Sequence, residues 1–161
     1  MEILHIENLS FSYPENTEQV EQIKNKMALN NVDMSVNEGD FVVIFGTSGC
    51  GKSTLLKLLK KEIAPFGAKE GSIFYKGTLL DELDEKVSAG EIGFIFQNPE
   101  SQIVTDEVWH ELSFGMENMG YDTNAIRRRI AEMAEYFGIS QWFHKKTAEL
   151  SGGQKQLLNL A

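Results

Sequence analysis

Residues 46–54, Gly46-Thr47-Ser48-Gly49-Cys50-Gly51-Lys52-Ser53-Thr54, constrain the fold of this chain more than any other stretch. Gly46, Gly51, Lys52 and Ser53 satisfy the spacing GxxxxGK[ST], and the flanks have opposite characters. Ahead lies Phe41-Val42-Val43-Ile44-Phe45, continuously apolar, as expected of a central strand covered on both faces. Behind, residues 53–62 carry Leu55, Leu56, Leu58 and Leu59 and predict a helix that Pro65 and Gly67 end. In a strand–loop–helix unit of this kind the glycines let backbone N–H groups turn inward around a phosphate. The helix start near Lys52 adds unpaired N–H groups and a positive dipole end. Lys52 would reach the beta and gamma phosphates, Ser53 would hold Mg²⁺ through its hydroxyl, and Thr54 would support the alpha phosphate. The competing reading is a glycine-rich turn that happens to precede a helix. It leaves the coincidence of every anchor with the right flanks unexplained. Cys50 reads as a small tolerated side chain rather than a nucleophile.

Along the rest of the chain, residues 3–13 read as a strand ahead of Pro14. Residues 15–26 are polar and charged and read as a loop or short surface helix. Val32, Met34 and Val36 alternate with polar neighbours, as in a half-buried strand, and Asn37-Glu38-Gly39-Asp40 is a turn. Residues 72–75 and 92–96 are further strand candidates, separated by an acidic stretch at 81–85. Residues 105–120 are expected to be mainly helical. A second helix over 124–137 shows Ile126, Ile130, Met133, Ala134 and Phe137 on one side. Gly152-Gly153 interrupts this pattern and a further helix starts over 154–161. Most of Val104, Val108, Leu112 and Met116 are expected to be core, and His5, His110 and His144 to be surface or packing residues.

The 161 residues fit one domain able to bury a core. The net charge of -9, from 24 acids against 15 bases, argues against a nucleic-acid surface, which needs clustered Lys and Arg. A mononucleotide site needs only backbone N–H groups and a lysine. One cysteine excludes an internal disulfide framework and a cysteine-rich metal site. No apolar run approaches the roughly 18 residues of a membrane span, and the first residues lack a secretion-signal pattern. The expectation is a cytoplasmic protein, peripheral on the inner face of the cell membrane through partners.

Two later strings carry a resemblance. Gln97-Asn98-Pro99-Glu100 follows Phe96, and Leu150-Ser151-Gly152-Gly153-Gln154 precedes a helix. In this order, after the glycine loop, they resemble the ATP-binding subunit of ATP-binding cassette (ABC) transporters over essentially the whole chain. Residues 96–102, Phe-Gln-Asn-Pro-Glu-Ser-Gln, followed by 114–118, Phe-Gly-Met-Glu-Asn, resemble the ATPases of energy-coupling factor importers in particular. Those importers take up vitamins or cobalt and nickel ions.

The resemblance implies an α/β fold: a P-loop NTPase core with an N-terminal antiparallel β subdomain and a helical subdomain. It divides the chain into 1–45 (β region and P-loop strand), 46–96 (P-loop, helix and following strands), 97–145 (helical subdomain) and 146–161 (signature loop and start of its helix). It implies that ATP and Mg²⁺ are bound by Gly46, Thr47, Ser48, Gly49, Cys50, Gly51, Lys52, Ser53 and Thr54. Tyr13 would stack on adenine, the alternative being a surface tyrosine on an edge strand. Lys52 and Gln97 would be catalytic, with Gln97 contacting Mg²⁺ and the attacking water. Ser151, Gly152, Gly153 and Gln154 would close over the gamma phosphate held by a second ABC ATPase subunit. The further implied partners are a small transmembrane coupling protein, gripped by the helical subdomain, and a substrate-binding membrane component.

Members of the family continue past the signature helix into an apolar strand ending in Asp and then a catalytic Glu. The expectation is therefore a chain truncated before that strand, an ABC-type translocase ATPase by family but largely inactive by itself. The apolar faces of residues 41–45 would then stay exposed. Two other readings stand beside the import ATPase: a soluble or regulatory ABC-type protein not coupled to transport, and a non-catalytic nucleotide-binding assembly module.

Overall fold

The computed structural model describes residues 1–14 and 27–161; the loop or short helix expected over 15–26 lies outside the described residues. The chain divides into two compact units, Met1–Ile92 and Gly93–Ala161.

The first unit is built on a four-stranded antiparallel sheet in the order β2-β1-β3-β4. Its strands are β1 (Glu2–Ser12), β2 (Met27–Asn37), β3 (Ala68–Tyr75) and β4 (Thr78–Leu79). A strict two-residue alternation along β1 would place Ile6 and Leu9 on opposite faces. Both are buried, with Phe11, at 1%, 0% and 1% exposure. A bulge reconciles them. The pairing slips between Ile6 and Leu9, and Asn8 takes a left-handed φ of 49°. One extra residue restores the phase, so all three side chains reach the same core. Asp33 Oδ1 accepts the Asn8 N–H at 2.7 Å, so the displaced amide stays bonded.

Helix α1 (Lys52–Leu58) lays Leu55 and Leu58 into the core that Ile6, Leu9, Phe11, Leu29 and Ile73 form. It ends four residues before the expected position. Lys60 is extended and a single 3₁₀ turn follows at Lys61–Ile63. Lys60 Nζ donates to Ser88 O at 2.6 Å and Lys61 Nζ donates to Leu83 O, so side-chain bonds draw this segment off the helical path. Helix α2 (Glu85–Glu91) is capped by Asp84, whose carboxylate accepts from Lys86 N and Val87 N.

Two strand expectations fail. Residues 41–45 form no strand among the described residues, and Phe41 and Phe45 are 93% and 90% exposed. An apolar run becomes a central strand only through hydrogen-bonded neighbours, and no described segment pairs with this one; Ile44 alone packs against the core. Residues 92–96 are also irregular. Gln102 takes the place of a neighbouring strand there. Its Oε1 accepts the Phe96 N–H at 3.1 Å and its Nε2 donates to Phe94 O at 3.2 Å.

The second unit contains α3 (Val108–Asn118), α4 (Thr123–Tyr136) and α5 (Gly152–Leu160), with 3₁₀ turns at Pro99–Ser101, Ser140–Trp142 and Thr147–Glu149. Asp122 caps α4 by accepting from Asn124 N and Ala125 N, and the helix buries Ile126, Ile130 and Ala134 at the expected spacing. Val108, Leu150 and Leu158 form a second core with Ile103, Leu112 and Trp142 packed on it. Of the four residues of which most were expected to be core, Val104 is the exposed one. Glu111 Oε2 accepts the Val104 and Thr105 N–H groups at 3.0 and 2.7 Å, which fixes this backbone in a loop rather than a helix.

Candidate functional site

The glycine loop runs from Gly46 to Gly51 and delivers the chain into α1. Gly51 is the helix N-cap, with φ 96° and ψ -2° and no side-chain cap. A helix start without a cap leaves its first N–H groups to be satisfied from outside. The conformation leaves no room for a larger residue: a Cβ at Gly51 would stand 2.3 Å from Ala28 O of β2.

Lys52 curls back over the loop. Its ammonium donates to Gly46 O and Thr47 O, both at 2.8 Å, and lies 3.5 Å from Cys50 Sγ. Three N–H donors of one ammonium are thus directed into the loop that an anion would enter. Cys50 is exposed and unbridged. Ser53 is exposed beside Lys52, and Thr54 is buried. Tyr13 and Thr54 share a hydrogen bond of 3.0 Å between their hydroxyls. The Tyr13 and Phe11 rings meet in a T-shaped pair with centroids 5.0 Å apart, and Tyr13 stays exposed to solvent. The first unit therefore brings Tyr13 together with the end of the glycine loop.

Gln97 and residues 151–154 belong to the second unit. Gln97 is exposed immediately before the turn at Pro99–Ser101. Ser151 and Gln154 form a reciprocal capping box at the start of α5: Gln154 Oε1 accepts the Ser151 N–H at 2.8 Å, and Ser151 Oγ accepts the Gln154 N–H at 3.4 Å. Gly152 and Gly153 are exposed in its first turn. Contacts that motif reading did not single out join these two places. Lys155 Nζ meets Glu100 Oε1 at 2.6 Å, and Asn159 Nδ2 donates to Pro99 O at 3.0 Å. The only sequence signal for them is the one-turn spacing of Lys155 and Asn159 on α5.

Among the described residues, no group of three or more His, Cys, Asp or Glu side chains could hold a metal ion. A cation that arrives with phosphates needs less from the protein, one hydroxyl oxygen such as that of Ser53. Uncapped amides, the Lys52 ammonium and an exposed hydroxyl make a donor set that fits a polyphosphate with its cation.

Residues 29–161 match the family model described as ABC transporter. The chain belongs to this family. ATP with Mg²⁺ is the cofactor pair that membership implies, and the donor set of the loop fits it. Over 156 residues the chain is 46% identical to a putative ABC transporter ATP-binding protein of Bacillus cereus, covering 97% of this chain and 27% of that protein. Over 159 residues it is 33% identical to an energy-coupling factor transporter ATP-binding protein of Ligilactobacillus salivarius, covering 99% of this chain and 52% of that protein. Among solved structures it resembles cbiO1 from Clostridium perfringens, part of the ABC transporter complex cbiONQ, at a TM-score of 0.80 and 27% identity. That likeness covers 99% of this chain and 59% of cbiO1. The chain thus spans between about a quarter and somewhat more than half of the proteins it resembles. The α/β class with an N-terminal antiparallel sheet and a helical subdomain, expected from the motifs, is the fold observed.

Proposed function

We propose that this chain is the ATP-holding part of an import ATPase, one that drives uptake of a small solute such as a vitamin or a cobalt or nickel ion through a membrane partner. The observation that carries the reading is the glycine loop with the Lys52 ammonium already directed into it, joined through Thr54 to an aromatic residue able to take a base. The likeness to the energy-coupling factor ATP-binding proteins supports the import class.

Each residue has a role that follows from its position. Lys52 exchanges the carbonyls of Gly46 and Thr47 for phosphate oxygens, trading neutral acceptors for charged ones, which form stronger hydrogen bonds. The amides of residues 47–53 line the phosphates, and Thr54 supports the alpha phosphate. Tyr13 offers its ring to adenine. Ser53 and Gln97 would hold Mg²⁺, which neutralises charge on the phosphates when bound. Gln97 also orients water. Ser151, Gly152, Gly153 and Gln154 present the start of α5 to the nucleotide of a second ATPase subunit, the same chain or a relative of it.

A groove of about 1160 Å³ in the second unit has Trp109, Ile126, Ile130 and Phe143 among its lining residues. We assign it to the transmembrane coupling protein, within a helical subdomain over 97–145 that follows 1–45 and 46–96 and precedes the signature segment 146–161. Among the described residues no helix is long and apolar enough to cross a membrane. Peripheral attachment at the cytoplasmic face through that partner, which in turn carries the solute-binding component, is consistent with this.

Titration with a fluorescent ATP analogue and Mg²⁺ tests the reading. Lys52→Ala removes a charge-assisted contact of about 1.5–3 kcal/mol, so affinity should fall about tenfold or more. Equal binding by the two proteins, or none by the wild type, overturns it.

A further inference from the structure

We propose that Lys155 and Asn159 are positioning residues that clamp the turn after Gln97 to the signature helix, so that the Gln97 loop and the Ser151 loop move as one body. The inference deepens the functional reading above and rests on it for the roles of Gln97 and Ser151.

The turn at Pro99–Ser101 is short and has few bonds of its own. Asn98 Oδ1 accepts the Glu100 N–H at 3.1 Å, Ser101 N donates to Asn98 O at 3.2 Å, and Gln102 N donates to Pro99 O at 3.2 Å. The remaining attachments come from α5. Lys155 and Asn159 stand one helical turn apart and therefore on one stripe of that helix. The first holds the Glu100 carboxylate and the second holds the Pro99 carbonyl, so two adjacent residues of the turn are gripped by two helix positions one turn apart. The Lys155 side chain is 13% exposed against 68% for Glu100. The ammonium is thus withdrawn from water and finds its charge partner in this turn. The same bond holds the Glu100 carboxyl below the usual carboxylate range.

Gln97 is fixed from its other side as well, because Gln102 binds the backbone of Phe96 and Phe94. Only Gln97 and Asn98 lie between the two anchors. At the helix end, Lys155 N donates to Ser151 O at 2.9 Å. One residue therefore bonds Ser151 through its backbone and Glu100 through its side chain. A displacement of the signature loop has a direct path to the residues that follow Gln97.

Amide hydrogen exchange on the full chain, read by mass spectrometry without nucleotide, tests the clamp. Lys155→Met and Glu100→Gln should each raise exchange about three- to fivefold, the scale of a partly shielded ion pair, in peptides over 94–102 and over 150–156 together. Combining the two should add little to either alone. Lys155→Arg, and the exchanged pair Glu100→Lys with Lys155→Glu, should restore protection. Asn159→Ala, which leaves the ion pair, should raise exchange at Gln102. The α4 peptide over 123–136 should stay unchanged throughout. Faster exchange confined to the substituted segment, additive effects, or no recovery in the exchanged pair overturns the proposal. If a Lys155 variant also loosens α4, Asn159→Ala decides: unchanged exchange over 94–102 overturns the clamp. Nucleotide binding is a separate measurement. A wild-type chain that binds no ATP analogue removes the functional reading while the exchange result still stands or falls by itself.

Discussion

Two glycines of the phosphate loop should respond differently to the same substitution, and the contrast isolates a steric term. Gly49 has φ 80° and nothing within 4 Å of an added Cβ. Gly49→Ala therefore meets only the left-handed penalty of an L-residue, about 1–2 kcal/mol. Gly51 has φ 96°, and its added Cβ would lie 2.3 Å from Ala28 O and 3.0 Å from the Leu29 Cδ2 methyl. The nearer atom is backbone of β2, in the sheet, and cannot turn away as a flexible side chain would. Gly51→Ala should carry the same penalty plus an overpacking cost of about 1–3 kcal/mol, hence about 2–5 kcal/mol in all. Urea unfolding followed by circular dichroism gives both values by linear extrapolation, with unchanged slope as the sign that only stability moved. Because Gly51 caps α1, its substitution should also weaken binding of an ATP analogue more than Gly49→Ala does. Equal stability losses for the two variants, within about 0.5 kcal/mol of each other, would refute the argument, since measured differences of that size are within ordinary surface-substitution scatter.

Removing the Tyr13 hydroxyl separates its two roles. Tyr13→Phe loses the bond to Thr54, about 0.5–1.5 kcal/mol of stability, but keeps a ring for adenine. Tyr13→Ala should in addition weaken binding of a fluorescent ATP analogue by about 1–3 kcal/mol, and equal affinities for the two variants would exclude stacking. His5 should make the β-sheet unit pH-sensitive. Its bond to Glu7 at 3.0 Å, opposed by desolvation and aided by Glu2, raises its pKa above 6.5. The stabilisation is therefore complete below about pH 6.5 and is lost as pH rises through the higher folded value. The melting temperature of wild type should fall towards that of His5→Gln over this interval, and a gap that stays constant would remove His5 as the cause.

Local signals carried much of the protein. The loop anchors Gly46, Gly51, Lys52 and Ser53 and the buried face of α4 involve residues within a few positions of one another, whereas the helix break expected at Gly152-Gly153 falls instead at Leu150-Ser151, because the Ser151–Gln154 capping box starts α5 at Gly152. Periodicity and capping act at that range, so they can be read from the order of residues. The start of α1 was legible for the same reason. Its end was not, because Lys60 and Lys61 are bonded to Ser88 and Leu83, far along the chain.

What only the tertiary structure decided has one physical source, the choice of a distant partner. The strand character of residues 41–45 depends on neighbours that the apolar run cannot itself supply. The bulge at Asn8 depends on pairing with both β2 and β3. The ties from Lys155 to Glu100 and from Asn159 to Pro99 span 55 and 60 residues. No motif encodes such contacts, because a lysine or asparagine on a helix has many possible partners and folding selects one. By itself the sequence determined which donors the loop contains, an ammonium, hydroxyls and amides freed by glycine, because these follow from covalent structure and local geometry. The three-dimensional arrangement decided which surrounding groups hold Thr54, Gln97 and Ser151 in place.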